Sequence, residues 1–290
     1  MGGSGAGGIA PPVPCAAQIR RLRTTVYSFY RRHGRHDLPW RLTTDPYHVY
    51  VSEVMLQQTQ VDRVRERYPR FIETFPDWSS LAGASLEQVL AQWQGLGYNR
   101  RGRNLWLAAR MVMQEFNGTL PDVPVQLQRL PGIGPATAAS IAAFAFHKPV
   151  VFIETNIRSV YLHHFFPGEQ RVPDTAIIGI AARCLDKKNP YAWYSALMDY
   201  GTSLKRHTGN PSRRSRHHSR QKAFAGSDRQ VRGAILRVLL GHPGQSIRAI
   251  AASIGEPRER TESILERLCR EGMVSAARGR FCAGGTQAAH

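Results

Sequence analysis

The chain has 290 residues, 42% of them hydrophobic, which allows two domains and a sizeable core. Its 39 Lys and Arg against 21 Asp and Glu leave a formal charge of +18, an excess that points to nucleic acid before an anionic membrane. No apolar run approaches the roughly 20 residues that span a bilayer, and four scattered cysteines, Cys15, Cys184, Cys269 and Cys282, argue against a disulfide framework and a sequence-local metal site.

The opening MGGSGAGGIAPPVP lacks the charged-then-apolar pattern of a signal peptide, and residues 1–15 are expected to be a disordered leader. Helical signals follow. VYVSEVMLQQTQV puts Val51, Val54, Met55 and Val61 on one stripe and Glu53, Gln57 and Gln60 on another face of one helix. SLEQVLAQWQGLG opens on a Ser85–Gln88 capping box and stops at Gly95 and Gly97. NRRGRNLWLAARMVMQEFNG reads as a further helix closed by Asn117-Gly118, and TAASIAAFAF, apolar almost all round, as a buried one. With no long strand-like alternation before Lys222, this part is expected to be all-α.

Between Lys205 and Lys222 the chain carries seven Lys or Arg, three histidines and no acid. Such a run is either a solvated loop or a surface whose counter-charge is an external polyanion. His217-His218 has no Cys or acidic neighbour to complete a zinc site. A composition break at AFAGSD precedes helical spacing at Val231, Ile235 and Val238, then at Ile247, Ile250 and Ile254, a turn at Gly255, and a helix bearing Ile264, Leu265 and Leu268. Two short alternating pieces around Arg278-Gly279-Arg280 complete the order of a winged helix-turn-helix, expected over 227–285; another small helical domain is the alternative.

LQRLPGIGPATAAS, residues 127–140, combines a tight turn at Gly132 and Gly134 with Pro135 in the first turn of a helix. Free amides at such a start can point at a phosphate. A plain helical hairpin would use the same glycines, but the full Leu-Pro-Gly-Ile-Gly string before an alanine-rich helix resembles the helix-hairpin-helix of DNA repair glycosylases. LPWR, DPYHVYVSEVMLQQTQV and GLGYNRRGRN, in that order upstream, resemble the corresponding motifs of MutY-type adenine DNA glycosylases. The likeness covers about Leu38 to Gly201. It implies an all-α, two-lobed helix-hairpin-helix glycosylase fold, with 45–150 as the hairpin lobe and 16–44 plus 151–222 as the other, followed by the winged helix.

Cleaving an N-glycosidic bond needs a proton donor for the leaving base, a water, and negative charge near the developing oxocarbenium ion. By resemblance Glu53 is the catalytic glutamate; by itself it would read as an exposed helix residue. Glu154, in VFIETNIRSV, falls where the family places an aspartate, one methylene shorter by roughly 1.5 Å. The resemblance also implies a base pocket and wedge of Trp40, Arg41, Gln57, Gln58, Tyr98 and Asp199, although aromatics such as Trp40 and Tyr98 are more often core. Asn99 departs from the usual second wedge residue. Gly132, Gly134 and Thr137 would contact DNA at the hairpin. Bifunctional relatives carry a lysine where this chain has Ala136, so no Schiff base can form at that point.

Relatives hold a [4Fe–4S] cluster after LMDYG; laid on that spacing, this chain offers Lys205, Ser212, Ser215 and Gln221, none a thiolate. The expectation is therefore no cofactor and no metal, with Arg206, Arg213, Arg214, Arg216 and Arg220 as phosphate contacts. In place of the family's Nudix-like tail, which recognises the base opposite the target, stands the winged helix. Its Arg258, Arg260 and Arg278 would bind flanking duplex, or it would dock a protein. The reading is a monofunctional glycosylase acting on mispaired adenine in duplex DNA, a monomer, cytoplasmic and nucleoid-associated. Its rivals are a thymine, uracil or damaged-base glycosylase, and a DNA-binding protein with a degenerate glycosylase domain.

Overall fold

The computed structural model describes residues 13–217 and 223–284, so Arg220, Gln221 and nearly all of the expected leader lie outside the described residues. In chain order α1 (Ala16–His33) and a 3-10 turn (Pro39–Arg41) lead to α2 (Pro46–Leu56), α3 (Val61–Thr74), α4 (Trp78–Gly83), α5 (Leu86–Gln92), α6 (Arg100–Glu115) and α7 (Pro124–Leu127). Next come α8 (Pro135–Phe146), α9 (Thr155–Phe165), α10 (Asp174–Cys184), α11 (Pro190–His207) and a second 3-10 turn (Pro211–Arg214). The chain continues through α12 (Asp228–Gly241), β1 (Gln245–Ser246), α13 (Ile247–Ile254), α14 (Arg258–Arg270), β2 (Val274–Ala277) and β3 (Arg280–Ala283). No helix among the described residues is long and apolar enough to cross a membrane.

The helices form two compact units. One takes the chain up to Leu42 with the stretch that begins at Pro135; the other takes Thr43–Gly134 and the C-terminal part. In the first, Leu22 and Val26 of α1, Ile141 and Ala142 of α8, Val160 and Leu162 of α9, and Trp193 and Leu197 of α11 are buried. The expected lobe boundary at residue 150 therefore moves to Pro135. α8 is apolar on every face and needs partners all round. It finds one in α11, where Tyr191 and Tyr194 meet Phe144 edge-on at 5.6 and 6.5 Å.

In the second unit the capping box at Ser85 forms as expected, with the Gln88 amide donating to Ser85 Oγ at 3.1 Å and the Ser85 amide to Gln88 Oε1 at 2.8 Å. One expectation fails. The single helix anticipated through Val61 stops at Leu56, and Val61 opens α3 instead. The cause is local: Gln58 has a left-handed φ of 55°, which breaks helical hydrogen bonding, and an arginine from α6, described below, takes the carbonyls that the helix leaves open.

The C-terminal part has the winged-helix order, with α12, α13 and α14 followed by a hairpin and the antiparallel sheet order β1-β3-β2. Val274 pairs with Ala283 and Ser275 with Cys282. Arg278 and Gly279 have φ of 49° and 72°, the two left-handed positions of a type I′ turn. Gly255 ends α13 at φ 68°. This module is not a bead on a string. Leu86 and Leu90 of α5 belong to the same core as Val231, Ile235, Leu239, Ile250, Ile264 and Leu268. Each such leucine is worth about 1.5–3 kcal/mol when fully buried, so the core ties α12 and α14 to α5.

Candidate functional site

In the second unit the site begins with α2. Asp45 caps it, accepting from the amides of Tyr47 at 2.7 Å and His48 at 3.3 Å, and Pro46 takes the first helical position. Glu53 follows two turns later, half-buried, between the buried Ser52 and Val54. The helix end then gives way to two irregular loops, Gln57–Gln60 and Gly95–Asn99. Each holds a non-glycine residue in the left-handed region, Gln58 and Tyr98, the latter at φ 47°. Such positions cost of order 1–3 kcal/mol when fixed, and persist where the surroundings over-determine them.

Here the surroundings are Arg101. Its guanidinium donates to the carbonyls of Val54 at 2.9 Å and Met55 at 2.8 Å, to Thr59 Oγ1 at 2.8 Å, and to the carbonyls of Leu96 and Gly97, each at 3.1 Å. It also lies 5.4 Å from the Trp93 ring centre and 5.5 Å from that of Tyr98. Burial pulls its pKa down to about 10, which leaves it charged at neutral pH. One fork of donors thus closes α2 and fixes both loops that carry the anticipated wedge residues. Arg101 lies inside GLGYNRRGRN among other basic residues, and its one local signal is a cation in the first turn of α6, where it opposes the helix dipole.

At the hairpin, Leu127, Leu130 and Ile133 are buried while Gly132 and Gly134 are exposed. Gly132 is required twice over: its φ is 80°, and a Cβ there would lie 2.6 Å from Asn104 Nδ2. Gly134 meets nothing within 4 Å. Ala136 is exposed and Thr137 half-buried in the first turn of α8.

In the first unit Glu154 caps α9. Its Oε1 accepts from the amides of Asn156 at 2.7 Å and Ile157 at 2.8 Å, and its Oε2 from Asn156 Nδ2 at 3.1 Å. Amides at a helix start fix the direction of the carboxylate. The packing beneath is close: a Cβ on Gly201 of α11 would lie 2.3 Å from the Asn156 carbonyl oxygen, so only glycine lets α11 approach the start of α9. Thr202 adds a 3.4 Å hydrogen bond to Asn156 Oδ1. Lys205, one helical turn past Gly201, is half-buried; burial holds its pKa below the ordinary lysine value, an effect the charge of Glu154 offsets only in part and Arg35 adds to.

Several anticipated site residues are spent elsewhere. Asp199 is enclosed by Arg35 and Arg41, the second of them also an anticipated pocket residue. Its side chain is 2% exposed and accepts from the Arg35 amide at 2.8 Å, Arg35 Nε at 2.7 Å and Arg41 Nη1 at 2.7 Å. Burial alone would raise its pKa, but the guanidiniums of Arg41 and Arg35 hold it below the ordinary carboxylate range. Arg41 is correspondingly committed, and Trp40 is buried at 7% exposure, the core role that a lone aromatic usually takes. Arg158 pairs with Asp174 at 2.8 Å.

The basic loop is likewise divided. Arg206, Arg213 and Arg216 are exposed. Arg214 is not a phosphate contact: it turns inward and donates to the carbonyls of Phe166 and, at 2.7 Å, Leu162. Ser215 Oγ donates to Asp174 at 3.3 Å, Ser212 Oγ to Asn210 at 2.7 Å, and Val172 forms a bridge with Ser215. These hydroxyls are soft-metal donors only poorly, and they are already engaged, so the residues at the anticipated cluster positions do not fit an iron–sulfur centre. Among the described residues no three or more His, Cys, Asp or Glu gather as a metal site.

The family model for the HhH-GPD superfamily base excision DNA repair protein matches residues 51–257, more than half of the chain. The chain belongs to this superfamily. It is 32% identical over 275 residues to the adenine DNA glycosylase of Mycolicibacterium smegmatis, covering 87% of this chain and 93% of that protein. The Buchnera aphidicola (Baizongia pistaciae) and Homo sapiens proteins of the same name are 38% and 36% identical, over 49% and 65% of this chain. This chain spans only 40% and 36% of their lengths. Among solved structures a thermostable thymine-DNA glycosylase aligns with a TM-score of 0.57 at 22% identity, covering 64% of this chain and 86% of that one. A trapped endonuclease III–DNA intermediate gives 0.56 at 18%, over 66% and 88%. These structures share the fold.

Proposed function

We propose that the protein is a monofunctional DNA glycosylase of base excision repair that hydrolyses the N-glycosidic bond of mispaired adenine, opposite guanine or 8-oxoguanine. The observation that carries this reading is the setting of Glu154. A carboxylate fastened by two helix-terminal amides and an asparagine is fixed in direction with no guanidinium on it, and the half-buried Lys205 is a cation coupled to it. An oriented carboxylate is what a developing oxocarbenium ion needs near it. Glu53, half-buried beside the two braced loops, donates a proton to the departing base and then accepts one from the attacking water. Gln58 and Tyr98, held at left-handed φ, fill the stack that the flipped nucleotide leaves. Gly132, Gly134 and Thr137 offer backbone donors to phosphate, and Arg206, Arg213 and Arg216 offer charge. Adenine is favoured over thymine or uracil by the shared name of the relatives at 32–38% identity. Ala136 supplies no amine, so the product is an intact strand with an abasic site. Duplex DNA carrying the mispair is the partner, and one chain suffices.

The test is a panel of duplexes carrying A·oxoG, A·G, T·G, U·G and hypoxanthine pairs, each scored for strand cleavage with and without alkali. Alkali-dependent cleavage of the adenine duplexes is expected. Glu53→Gln should abolish base release and leave affinity largely unchanged. Cleavage before alkali would overturn the monofunctional assignment. Silence on every substrate, with tight binding kept, would favour the degenerate DNA-binding protein instead.

A further inference from the structure

Within the second unit the loops carrying Gln58 and Tyr98 form one wall of an open groove of about 1300 Å³, and α12 of the winged-helix module forms the other. Gln230, Gly233, Arg237 and Leu240 line it at helical spacing, so one face of α12 turns to the groove while Val231, Ile235 and Leu239 on the other enter the core. A Cβ on Gly233 would meet nothing within 4 Å, which leaves that wall open. The lining holds eight arginines against two glutamates. Most of this charge is internal: Arg100 and Arg232 pair with Glu271, each at 2.5 Å, Arg67 with Glu66 at 3.4 Å and Arg267 with Asp228 at 2.7 Å, while Arg101 is spent on the loop carbonyls. Arg63 and Arg237 have no acidic partner among the described residues. At the mouth stands Phe224, 61% exposed. Arg229 of α12 donates to the Tyr98 hydroxyl and lies 5.4 Å from its ring centre, which joins the two walls.

An exposed aromatic in a cationic groove fits a strand with unstacked bases: arginines take phosphates and the ring takes a base face. We propose that this groove binds an unpaired nucleotide of duplex DNA and its flanking phosphates, and that α12, rather than α14 or the wing, is the surface through which the winged-helix module meets DNA. Two of the four arginines of α14 are paired with acids, and Glu259, Glu262 and Glu266 on the same helix offset the other two. Arg260 pairs with Glu256 at 2.9 Å and Arg267 with Asp228 at 2.7 Å. The ligand class rests on the glycosylase reading; the placement rests on the groove.

The experiment measures equilibrium binding of the full chain across a salt series to two unreactive duplexes, one fully paired and one with a single orphan base opposite a reduced abasic analogue. Arg63→Gln with Arg237→Gln should weaken both and flatten the salt slope by about 2, close to 0.9 per lost phosphate contact. Phe224→Ala should cost about tenfold on the orphan-base duplex alone. An Arg183→Gln control on α10 should leave the slope unchanged, and thermal melts check that each variant folds. An unchanged slope in the double variant would overturn the proposal. So would an equal loss on both duplexes for Phe224→Ala, or transfer of the slope change to Arg258→Gln with Arg278→Gln. No step requires base release: a protein that excises nothing can still pass, and one that excises adenine can still fail.

Discussion

The start of α9 and the middle of α11 each hold an acid with several hydrogen bonds, and they hold it for opposite ends. Asp199 is enclosed by the guanidiniums of Arg35 and Arg41, and its side chain is 2% exposed. Glu154 is half-exposed and held by amides. Guanidiniums neutralise the charge they bind and surround it. Amides orient a carboxylate without cancelling its charge, which at Glu154 also acts on the half-buried Lys205. In the proposed mechanism, donor type is what separates the acid that holds the fold together from the one that meets the transition state. Burial or the number of hydrogen bonds does not.

Asp199→Asn gives the largest effect. It leaves Arg41, 9% exposed, and Arg35 without their counter-charge, and breaking one side of a buried pair costs about 3–5 kcal/mol. Because the folded pKa of Asp199 is depressed, its stabilisation is fully present above the unfolded value of about 3.9 and is lost as pH falls through the lower folded value. Denaturant melts should show the wild type and the variant furthest apart at neutral pH and drawing together below about pH 4. A gap that stays constant into acid would show that Asp199 contributes shape and not charge.

Glu154→Gln comes next and reverses the pattern. Glutamine keeps an oxygen for the Asn156 and Ile157 amides, so the melt should move by less than about 1 kcal/mol. Losing the fixed anion should slow single-turnover adenine release by about a hundredfold. A large stability loss with little change in rate would place Glu154 with Asp199 as architecture.

What could be read from the sequence follows where each residue's partner lies. The Ser85–Gln88 box and the Gly255 cap are local, and the sequence specifies them outright. The motif strings single out Glu53 and Glu154 as candidates because spacing along the chain carries that information. What it does not carry is which of many arginines meets which oxygen. Arg214 looked like a phosphate contact and instead closes on carbonyls 48 and 52 residues away. Nor does spacing carry the enclosure of Asp199 by Arg35, 164 residues distant. The end of α2 at Leu56 is illegible for the same reason, since its terminator, Arg101, stands 46 residues from Met55.

Glu154→Asp is the smallest change and the one that sharpens the comparison most. Aspartate is among the favoured helix N-caps, so the hydrogen bonds to the α9 amides can persist and stability should stay within about 0.5 kcal/mol. The substitution withdraws the anion by one methylene, roughly 1.5 Å. If the surrounding backbone has been shaped around glutamate, as the close seating of Gly201 on the Asn156 carbonyl suggests, the shorter acid misses its position, and misplacement of about 1 Å can cost up to a hundredfold. A drop of about tenfold is expected, because a carboxylate acting through charge falls off less steeply than one that must make a bond. A rise in rate would mean that glutamate is a weakened form of the site, and that the family's aspartate still fits this backbone better than the residue it now holds.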